Sequence, residues 1–283
     1  MEHDPDSPEH HLQRSEFIRK LVQRHLIQGS VKNRYQHRIP RTIVQFWHDL
    51  RELPNDIEEC VDSWSRWKTR GFTHLLFDEY TARAFVRNSL GARHESAFDR
   101  CYHPAMQSDY FRLCYLLIEG GFYVDADDVC VGTDIDWLFN DGRLKLQPLC
   151  YDITSGTMVN PSVFLAADAY DPSWIFYFNN NPLIAGRGHP IIERALAQAT
   201  LLLELAGEDS LPEIQTTTGP GNLSKSIFDS RALLEIGEDG VERNLVVLKD
   251  WDSLAVSRWP LSHRGDSRNW RLSNQKRFNP SNE

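Results

Sequence analysis

Apolar and polar positions along the chain form short apolar runs that alternate with segments of helical spacing. Residues 42–47 and 73–77 are apolar runs of strand length, and Pro40 introduces the first of them. Each run is followed by a segment with helical spacing, over residues 54–67 and 78–86. The repeated order of strand and helix predicts an α/β fold built on a parallel sheet.

A longer helix and a third short strand follow in the central part of the chain. Residues 104–119 have helical spacing and end at Gly120-Gly121, which is typical of a helix C-terminus. Residues 122–124 are apolar and predict a buried strand. Beyond residue 134, the pattern predicts three more strands and one helix, with strands at 146–153, 162–166 and 245–249 and the helix at 190–205.

The N-terminal segment differs from the rest of the chain. Residues 1–11 are polar and predicted to be disordered, whereas residues 12–28 place apolar side chains at helical spacing and basic ones on the other face. This pattern predicts one amphipathic helix. We therefore divide the chain into an N-terminal segment, 1–38, and a single main domain, 39–283.

The charge of the chain narrows the classes of partner. The 31 basic and 40 acidic side chains give a formal net charge of -9. This balance offers no electrostatic reason to bind nucleic acid, and it limits any membrane contact to a peripheral one through the basic face of the N-terminal helix. A protein of this charge that handles anionic nucleotides must concentrate positive charge locally, which favours a bound metal ion.

Cysteine usage and hydropathy indicate a cytoplasmic protein. The five cysteines are an odd number and include no C-x-x-C pair, so we expect reduced thiols and neither a disulfide framework nor a zinc site. No signal peptide is recognisable at the N-terminus, and no run of about 18 apolar residues is long enough to span a bilayer.

Three carboxylates directly follow the third predicted strand, in the run Asp125-Ala126-Asp127-Asp128. Burying such charges without compensation costs several kcal/mol each, so a positive group is expected beside them. Alternation along an extended strand brings Asp125 and Asp127 to one side, where they can share one Mg²⁺ or Mn²⁺ ion. A D-x-D motif alone is common, and a solvated turn or a helix cap is the alternative interpretation.

Asp109 and Arg112 lie three residues apart on the predicted helix at 104–119. On spacing alone, an intrahelical salt bridge worth a few tenths of a kcal/mol explains the pair as well as a functional role does. In the functional interpretation, both side chains reach the ribose and the sugar of a bound nucleotide sugar.

These segments together resemble glycosyltransferase family 32, whose sugar-binding region contains a D-x-D motif; the clostridial glucosylating toxins resemble the same group distantly. The resemblance spans residues 39 to about 139 with order and spacing intact. The matching segments are Ile39-Pro40-Arg41-Thr42-Ile43-Val44-Gln45-Phe46-Trp47, Ser63-Trp64, Ser108-Asp109-Tyr110-Phe111-Arg112 and Gly120-Gly121-Phe122-Tyr123-Val124-Asp125-Ala126-Asp127.

The resemblance implies a GT-A fold, with a Rossmann-like and mostly parallel central sheet flanked by helices. It also implies a nucleotide-sugar donor, Mn²⁺ or Mg²⁺ as cofactor, and retention of anomeric configuration. Trp47 matches the aromatic residue that contacts the nucleotide base, and Gln45 precedes it on the same strand as a further nucleotide-sugar-binding residue. Asp109 and Arg112 match the pair near the ribose and the donor sugar.

By the same resemblance, Asp125 and Asp127 bind the metal and the diphosphate, with Ala126 between them facing the donor. The late residues His263 and Trp270 match a histidine and a tryptophan that close over the diphosphate, which makes His263 the third predicted metal ligand and Trp270 a nucleotide-sugar-binding residue. Asp128 is a third acidic ligand or a supporting residue. The run Asn179-Asn180-Asn181 lines the acceptor side or forms a polar loop.

The expected function is a metal-dependent retaining hexosyltransferase, with Asp109, Arg112 and Asp127 as its catalytic residues. A UDP-sugar is favoured over GDP-mannose, because a short chain without a membrane anchor is more similar to bacterial polysaccharide enzymes than to Golgi mannosyltransferases. The acceptor is a saccharide, a glycolipid or a protein. Two alternatives stay open, a noncatalytic sugar-binding module of the same fold and a metal-dependent phosphohydrolase.

Overall fold

A central sheet of seven strands and a separate two-stranded sheet organise the chain. The computed structural model describes residues 8–23, 38–207, 210–231, 244–258 and 260–278. The strands are β1 (Thr42–Phe46), β2 (Thr73–Phe77), β3 (Gly121–Tyr123), β4 (Asp128–Cys130), β5 (Leu144–Asp152), β6 (Thr157–Met158), β7 (Trp174–Ala185), β8 (Leu245–Val247) and β9 (Ala255–Ser257).

The order of the central sheet is β2-β1-β3-β7-β5-β6, and β8 also pairs with β5, while β4 and β9 form the small sheet. The strand pairings make β1, β2, β3, β5 and β8 run in one direction and β6 and β7 in the other. The prediction of an α/β fold with a mostly parallel central sheet flanked by helices is confirmed.

Helices precede, connect and cover these strands. They are α1 (Pro8–Gln23), α2 (Asn55–Ser65), α3 (Glu79–Leu90), α4 (Ala92–Asp99), α5 (Pro104–Ile118), α6 (Pro161–Phe164), α7 (Pro190–Leu205), α8 (Ile214–Thr217), α9 (Pro220–Ser230) and α10 (Trp270–Ser273). The helices predicted at 54–67, 104–119 and 190–205 are found within two residues of their expected ends. None of the described helices is long and apolar enough to cross a membrane.

The structure differs from the sequence-based prediction at α6 and at β7. The strand predicted at 162–166 is the helical turn α6, because Asn160 caps it by accepting a hydrogen bond from the amide of Ser162 and Pro161 favours the first helical position. The long strand β7 was not predicted, because its three asparagines and Pro182 interrupt the apolar pattern.

The N-terminal helix α1 packs into the main core. It begins at Pro8, inside the segment expected to be disordered, and residues 24–28 of the predicted helix lie outside the described residues. Ile18 and Val22 are fully buried in the same cluster as β1 and α5. Ser15 accepts a hydrogen bond from the amide of Phe176 in β7. The boundary after residue 38 stays a prediction.

Strand β1 is buried on both faces, which fixes the position of the residues at its end. Val44 contributes to one core cluster and Ile43 to another, as expected for a strand covered by helices on both sides. Gly121, with φ of +125°, begins β3 in a backbone conformation that other residues rarely adopt, and a Cβ there would meet the Thr42 carbonyl at 2.9 Å. Because β1 and β3 pair in parallel, their carboxyl ends lie side by side.

Candidate active site

A cavity of about 710 Å³ lies at the carboxyl ends of β1 and β3. Eight of the nine predicted site residues line it, namely Trp47, Asp109, Arg112, Asp125, Ala126, Asp127, His263 and Trp270. Strand ends bring Trp47 and the 125–127 segment there, α5 brings Asp109 and Arg112, and α10 brings Trp270. Their convergence from distant segments follows from the parallel pairing of β1 with β3.

Arg112 links two of the predicted aspartates. Its Nη2 atom lies 2.9 Å from Oδ1 of Asp125 and 3.0 Å from Oδ1 of Asp109, and only 3% of its side chain is exposed. Its Nη1 atom donates to the carbonyl of Asn180 at 2.8 Å, and its guanidinium lies over the Tyr123 ring. The Asp109–Arg112 ion pair is thus real, and it is buried at the cavity rather than solvated on a helix face.

The asparagine run of β7 holds this acidic cluster in place. The register between β5 and β7 shifts after Leu146, so that residues 179–182 of β7 bulge between the paired segments. Asn180 donates to Oδ1 of Asp109 at 2.7 Å. Asn181 accepts from the amide of Asp125 at 2.9 Å and donates to Oδ2 of Asp128 at 2.8 Å. Two of the three asparagines are therefore buried supports of the site.

The third carboxylate of the motif, Asp128, also lines the cavity. Its side chain is buried against Asn181, and its carbonyl accepts a hydrogen bond from the indole of Trp64. Burial, together with repulsion from Asp127 and Asp125, raises its pKa well above the ordinary value. These contacts favour a supporting position for Asp128 over a ligand position.

Asp127 is compensated from the C-terminal part of the chain. Arg264 donates to Oδ2 of Asp127 at 2.6 Å, and Nε2 of His263 lies 3.5 Å from the same oxygen. Burial works against the ionised form of Asp127, but the contacts to His263 and Arg264 outweigh it and keep the pKa of this carboxyl below its ordinary value. Asp127 therefore carries a negative charge at neutral pH.

Asp125 is held less firmly in its ionised form. Burial raises its pKa to about 6, since the attraction of Arg112 offsets the burial only in part and the charges of Asp127 and Asp109 add repulsion. Within the described part of this cluster, four aspartates at positions 109, 125, 127 and 128 face the two guanidinium groups of Arg112 and Arg264. The cluster therefore has fewer basic groups than acidic ones.

The predicted metal ligands Asp125, Asp127 and His263 fit a divalent ion by charge and donor chemistry. In the residues that the structure describes, no group of three His, Cys, Asp or Glu side chains by itself converges as a metal site. A Mg²⁺ or Mn²⁺ ion, however, takes only one or two carboxylates and completes its shell with water and phosphate oxygens. We retain the assignment of these three ligands as a prediction.

Two buried nitrogen atoms at the cavity lack a hydrogen-bond partner among the described residues. They are Nε1 of Trp47 and Nδ1 of His263, whose rings meet edge to face at 5.3 Å between centroids. A buried polar atom left unpaired costs about 1–3 kcal/mol. The cavity is thus built to receive polar groups of a ligand beside Trp47.

Gln45 lies behind the cavity and does not line it. Its side chain is fully buried, donates to the carbonyl of Asp125 at 3.1 Å and makes a 2.8 Å hydrogen bond with His74. Successive strand side chains point to opposite faces, so Gln45 cannot share the direction of its neighbour Phe46. The structure gives Gln45 a positioning role at the end of β3, in place of the predicted contact with the nucleotide sugar.

Sequence reasoning missed Arg264 as a site residue, and it left Asn180 and Asn181 open between the acceptor side and a polar loop. Arg264 directly follows the predicted ligand His263, and a basic residue there was the available signal. Thr218 contacts Oδ2 of Asp109 at 3.4 Å, which places the turn before α9 against the same aspartate.

Comparison with known proteins identifies the region that carries these residues. A family model described as glycosyltransferase sugar-binding region containing DXD motif matches residues 54–141. Residues 54–141 of this chain are thus similar to the sugar-binding region of DXD glycosyltransferases. The resemblance inferred from the motifs is therefore confirmed, and the matched region contains α5, β3 and the 125–128 run of the cavity.

Two curated relatives of this chain are named as glycosyltransferases. The initiation-specific alpha-1,6-mannosyltransferase of Schizosaccharomyces pombe is 24% identical over 210 residues, which cover 69% of this chain and 49% of the yeast protein. The uncharacterized glycosyltransferase L373 of Acanthamoeba polyphaga mimivirus is 27% identical over 93 residues, covering 32% of this chain and 37% of the viral protein. The matched part of the chain thus spans about half the length of the yeast relative and less than half that of the viral one.

Among solved structures, the chain is similar to the PaToxG glycosyltransferase. The two superpose with a TM-score of 0.46 at 13% sequence identity, and the match covers 93% of this chain and 94% of that one.

Proposed function

We propose that the protein is a metal-dependent, retaining hexosyltransferase that transfers a sugar from a nucleotide diphosphate sugar. The observation that carries the proposal is the convergence of Asp125, Asp127, Arg112 and Trp47 on one cavity at the ends of parallel strands. Carboxylates for a metal, a fixed guanidinium and an aromatic ring with an unpaired N–H together match the parts of a bound nucleotide sugar.

In this mechanism, the nucleotide base packs against Trp47 and its diphosphate extends toward Asp125 and Asp127. A Mn²⁺ or Mg²⁺ ion held by Asp125, Asp127 and His263 would supply Lewis-acid stabilisation of the charge on the diphosphate. Arg112 adds a positive charge that cannot move, because its guanidinium is held by Asp109, Asp125 and the Asn180 carbonyl. Preorganised charge of this kind needs no reorganisation during the reaction.

Retention follows if the acceptor hydroxyl attacks from the face that the phosphate leaves. The bond between the acceptor oxygen and the anomeric carbon forms as the bond from that carbon to the phosphate oxygen breaks, and the leaving phosphate takes the hydroxyl proton. Asp109 positions the donor in this scheme: burial raises its pKa, and its oxygens face Asn180 and Thr218. We assign no protein side chain as general base.

UDP-sugars are the proposed donors, and GDP-mannose is the second candidate. The name of the yeast relative, a mannosyltransferase, favours mannose instead. The proposed acceptors are saccharides, glycolipids or proteins.

Incubation of the protein with Mn²⁺ and a panel of UDP- and GDP-sugars tests the proposal. Transfer or slow donor hydrolysis is expected in the wild type, and the double variant Asp125→Ala, Asp127→Ala should lose it at saturating Mn²⁺. The matched control is Asp99→Ala, an exposed partner of Arg83 outside the cavity. Retained activity in the double variant refutes the metal assignment.

The same assay separates the two alternatives. A noncatalytic binding module would raise its melting temperature with a nucleotide sugar, through ligand linkage, without turnover. A phosphohydrolase would release inorganic phosphate from the donor or from simple phosphate esters.

A further inference from the structure

One wall of the cavity is a sheet surface without formal charge. On β5, the cavity side carries Gln147, Leu149 and Tyr151, while the alternate residues Leu146 and Cys150 are fully buried on the other side. On the neighbouring strands, the same wall carries Tyr177, Asn179 and Met158. The wall is therefore a flat array of two tyrosines, two other apolar side chains and two amides.

Strand register puts these six side chains next to one another. Leu149 pairs with Tyr177, and Tyr151 pairs with Met158. The amide of Asn179 donates to Oε1 of Gln147 at 3.0 Å, which places the two amides side by side. We call these six residues the platform.

The platform begins at the acidic cluster and extends away from it. Its residue Asn179 directly precedes Asn180, which contacts Asp109 and Arg112. From Gln147 to Tyr151, four residues of extended strand span roughly 13 Å. The platform thus continues well past the groups that surround the anomeric carbon in the proposed function.

We propose that the platform is the acceptor subsite and that it takes a neutral saccharide. Sugar rings combine an apolar C–H face with hydroxyl groups at the edge, which suits tyrosine and methionine surfaces bordered by amide donors and acceptors. Burial raises the pKa of Tyr177 to about 12, so its hydroxyl stays protonated and neutral. The inference rests on the proposed function for the identity of the reaction.

Peptide acceptors fit this surface less well. Peptides that bind a sheet in extended form add to an unpaired edge strand, whereas β5 is paired with β7 on one side and with β6 and β8 on the other. Two of the charged residues that line the cavity lie close to the platform: Asp252 accepts from Gln147 at 3.3 Å, and the charge of Arg271 acts on Tyr177. The six platform side chains themselves carry no charge.

Saturation-transfer NMR with the full chain tests the proposal without requiring turnover. The probes are methyl α-D-glucopyranoside, methyl α-D-mannopyranoside, maltose and a serine-containing peptide, each with UDP or GDP and the diamagnetic ion Mg²⁺ present. Wild type should bind at least one saccharide. Tyr151→Ala should raise the Kd for that saccharide about tenfold, because the aromatic face is lost. Tyr151→Phe, which keeps the ring, should retain most of the affinity.

Tyr80→Ala is the matched control, because Tyr80 is a tyrosine on α3 that is 80% exposed and does not line the cavity. All variants should keep the wild-type melting temperature shift with nucleotide, which shows that the donor half and the fold are intact. Absence of saccharide binding in wild type, equal binding in Tyr151→Ala, or binding of the peptide alone overturns the acceptor assignment. Saccharide binding without turnover of any nucleotide sugar refutes the proposed function and leaves the subsite standing.

Discussion

Arg112 and Asp125 form an ion pair, with Nη2 of the buried arginine 2.9 Å from Oδ1 of the partly exposed aspartate. The pair joins helix α5 to the segment that follows β3, so the position of the D-x-D segment depends on the helix before it. Because Arg112 also contacts Asp109, its single charge orients one carboxylate on each of two elements.

Arg112→Lys should abolish most of the transfer activity. Lysine keeps the charge but loses the planar fork that reaches Asp125, Asp109 and the Asn180 carbonyl together. We expect kcat/KM to fall about 100-fold, since charge-assisted hydrogen bonds contribute about 1.5–3 kcal/mol each. Steady-state kinetics at saturating Mn²⁺ measure the effect.

Arg93→Lys serves as its control, because Arg93 pairs with Glu204 in an exposed ion pair that does not line the cavity. Exposed pairs contribute about 0–1 kcal/mol, so this variant should keep wild-type kinetics. Equal losses in the two variants would contradict the role of Arg112.

Asn181→Ala should lower the transfer rate more than it lowers the melting temperature. The change removes the acceptor for the Asp125 amide and the donor to Asp128, leaving buried polar groups unpaired at a cost of about 1–3 kcal/mol. Asn160→Ala removes only the exposed cap of α6 and costs about 1 kcal/mol. Kinetics and thermal unfolding of both variants give the comparison, and unchanged kinetics in Asn181→Ala would contradict the positioning role.

Arg264→Gln should tighten Mn²⁺ binding in the absence of a nucleotide. Arg264 contacts the same Asp127 oxygen that a metal would use, so removing its charge removes a competitor and leaves the carboxylate more negative. Calorimetric titration with Mn²⁺ measures the change. Arg268→Gln is the control, since Arg268 lines the cavity but pairs with Asp266; weaker Mn²⁺ binding in Arg264→Gln would refute a shared site.

Acidification should destabilise the protein partly through His74. Burial lowers the pKa of His74 from 6.5 to about 4, so the folded state holds it neutral in a pH range where the unfolded state protonates it. Its contribution to stability is therefore present above pH 6.5 and is lost as the pH falls from 6.5 to about 4. Urea unfolding across this window should show a smaller pH dependence in His74→Gln than in wild type.

His48 should account for part of the remaining dependence, because burial also lowers its pKa to about 4. The control is His11→Gln, at a partly exposed position on α1. An identical pH dependence in His74→Gln and wild type would contradict the assignment.

The residues proposed to bind the donor could be placed on their strands and helices from the sequence because the signals are local. Asp125-Ala126-Asp127 follows a short apolar strand, Asp109 and Arg112 share a helix, and Trp47 ends a strand, so periodicity and spacing place them without knowledge of distant contacts. The family resemblance covers the same segments, and the matched region 54–141 contains all of these residues except Trp47.

The supports of that site could not be predicted, because each depends on contacts between residues far apart in the chain. Asn180 and Asn181 reach the acidic cluster through a bulge in β7, and strand register is set by pairing partners that a linear pattern does not reveal. The contact of Arg264 with Asp127 likewise joins residues 137 positions apart.

Sequence alone determined the acidic motif, the residues that accompany it and the order of strands and helices through residue 124 apart from α4, because hydrophobic periodicity and short-range spacing are properties of neighbouring residues. The tertiary structure decided which side chains compensate those charges, moved Gln45 from the cavity to a supporting position and assembled the neutral platform of β5, β6 and β7. Those features arise from strand pairing and burial, which depend on the whole chain.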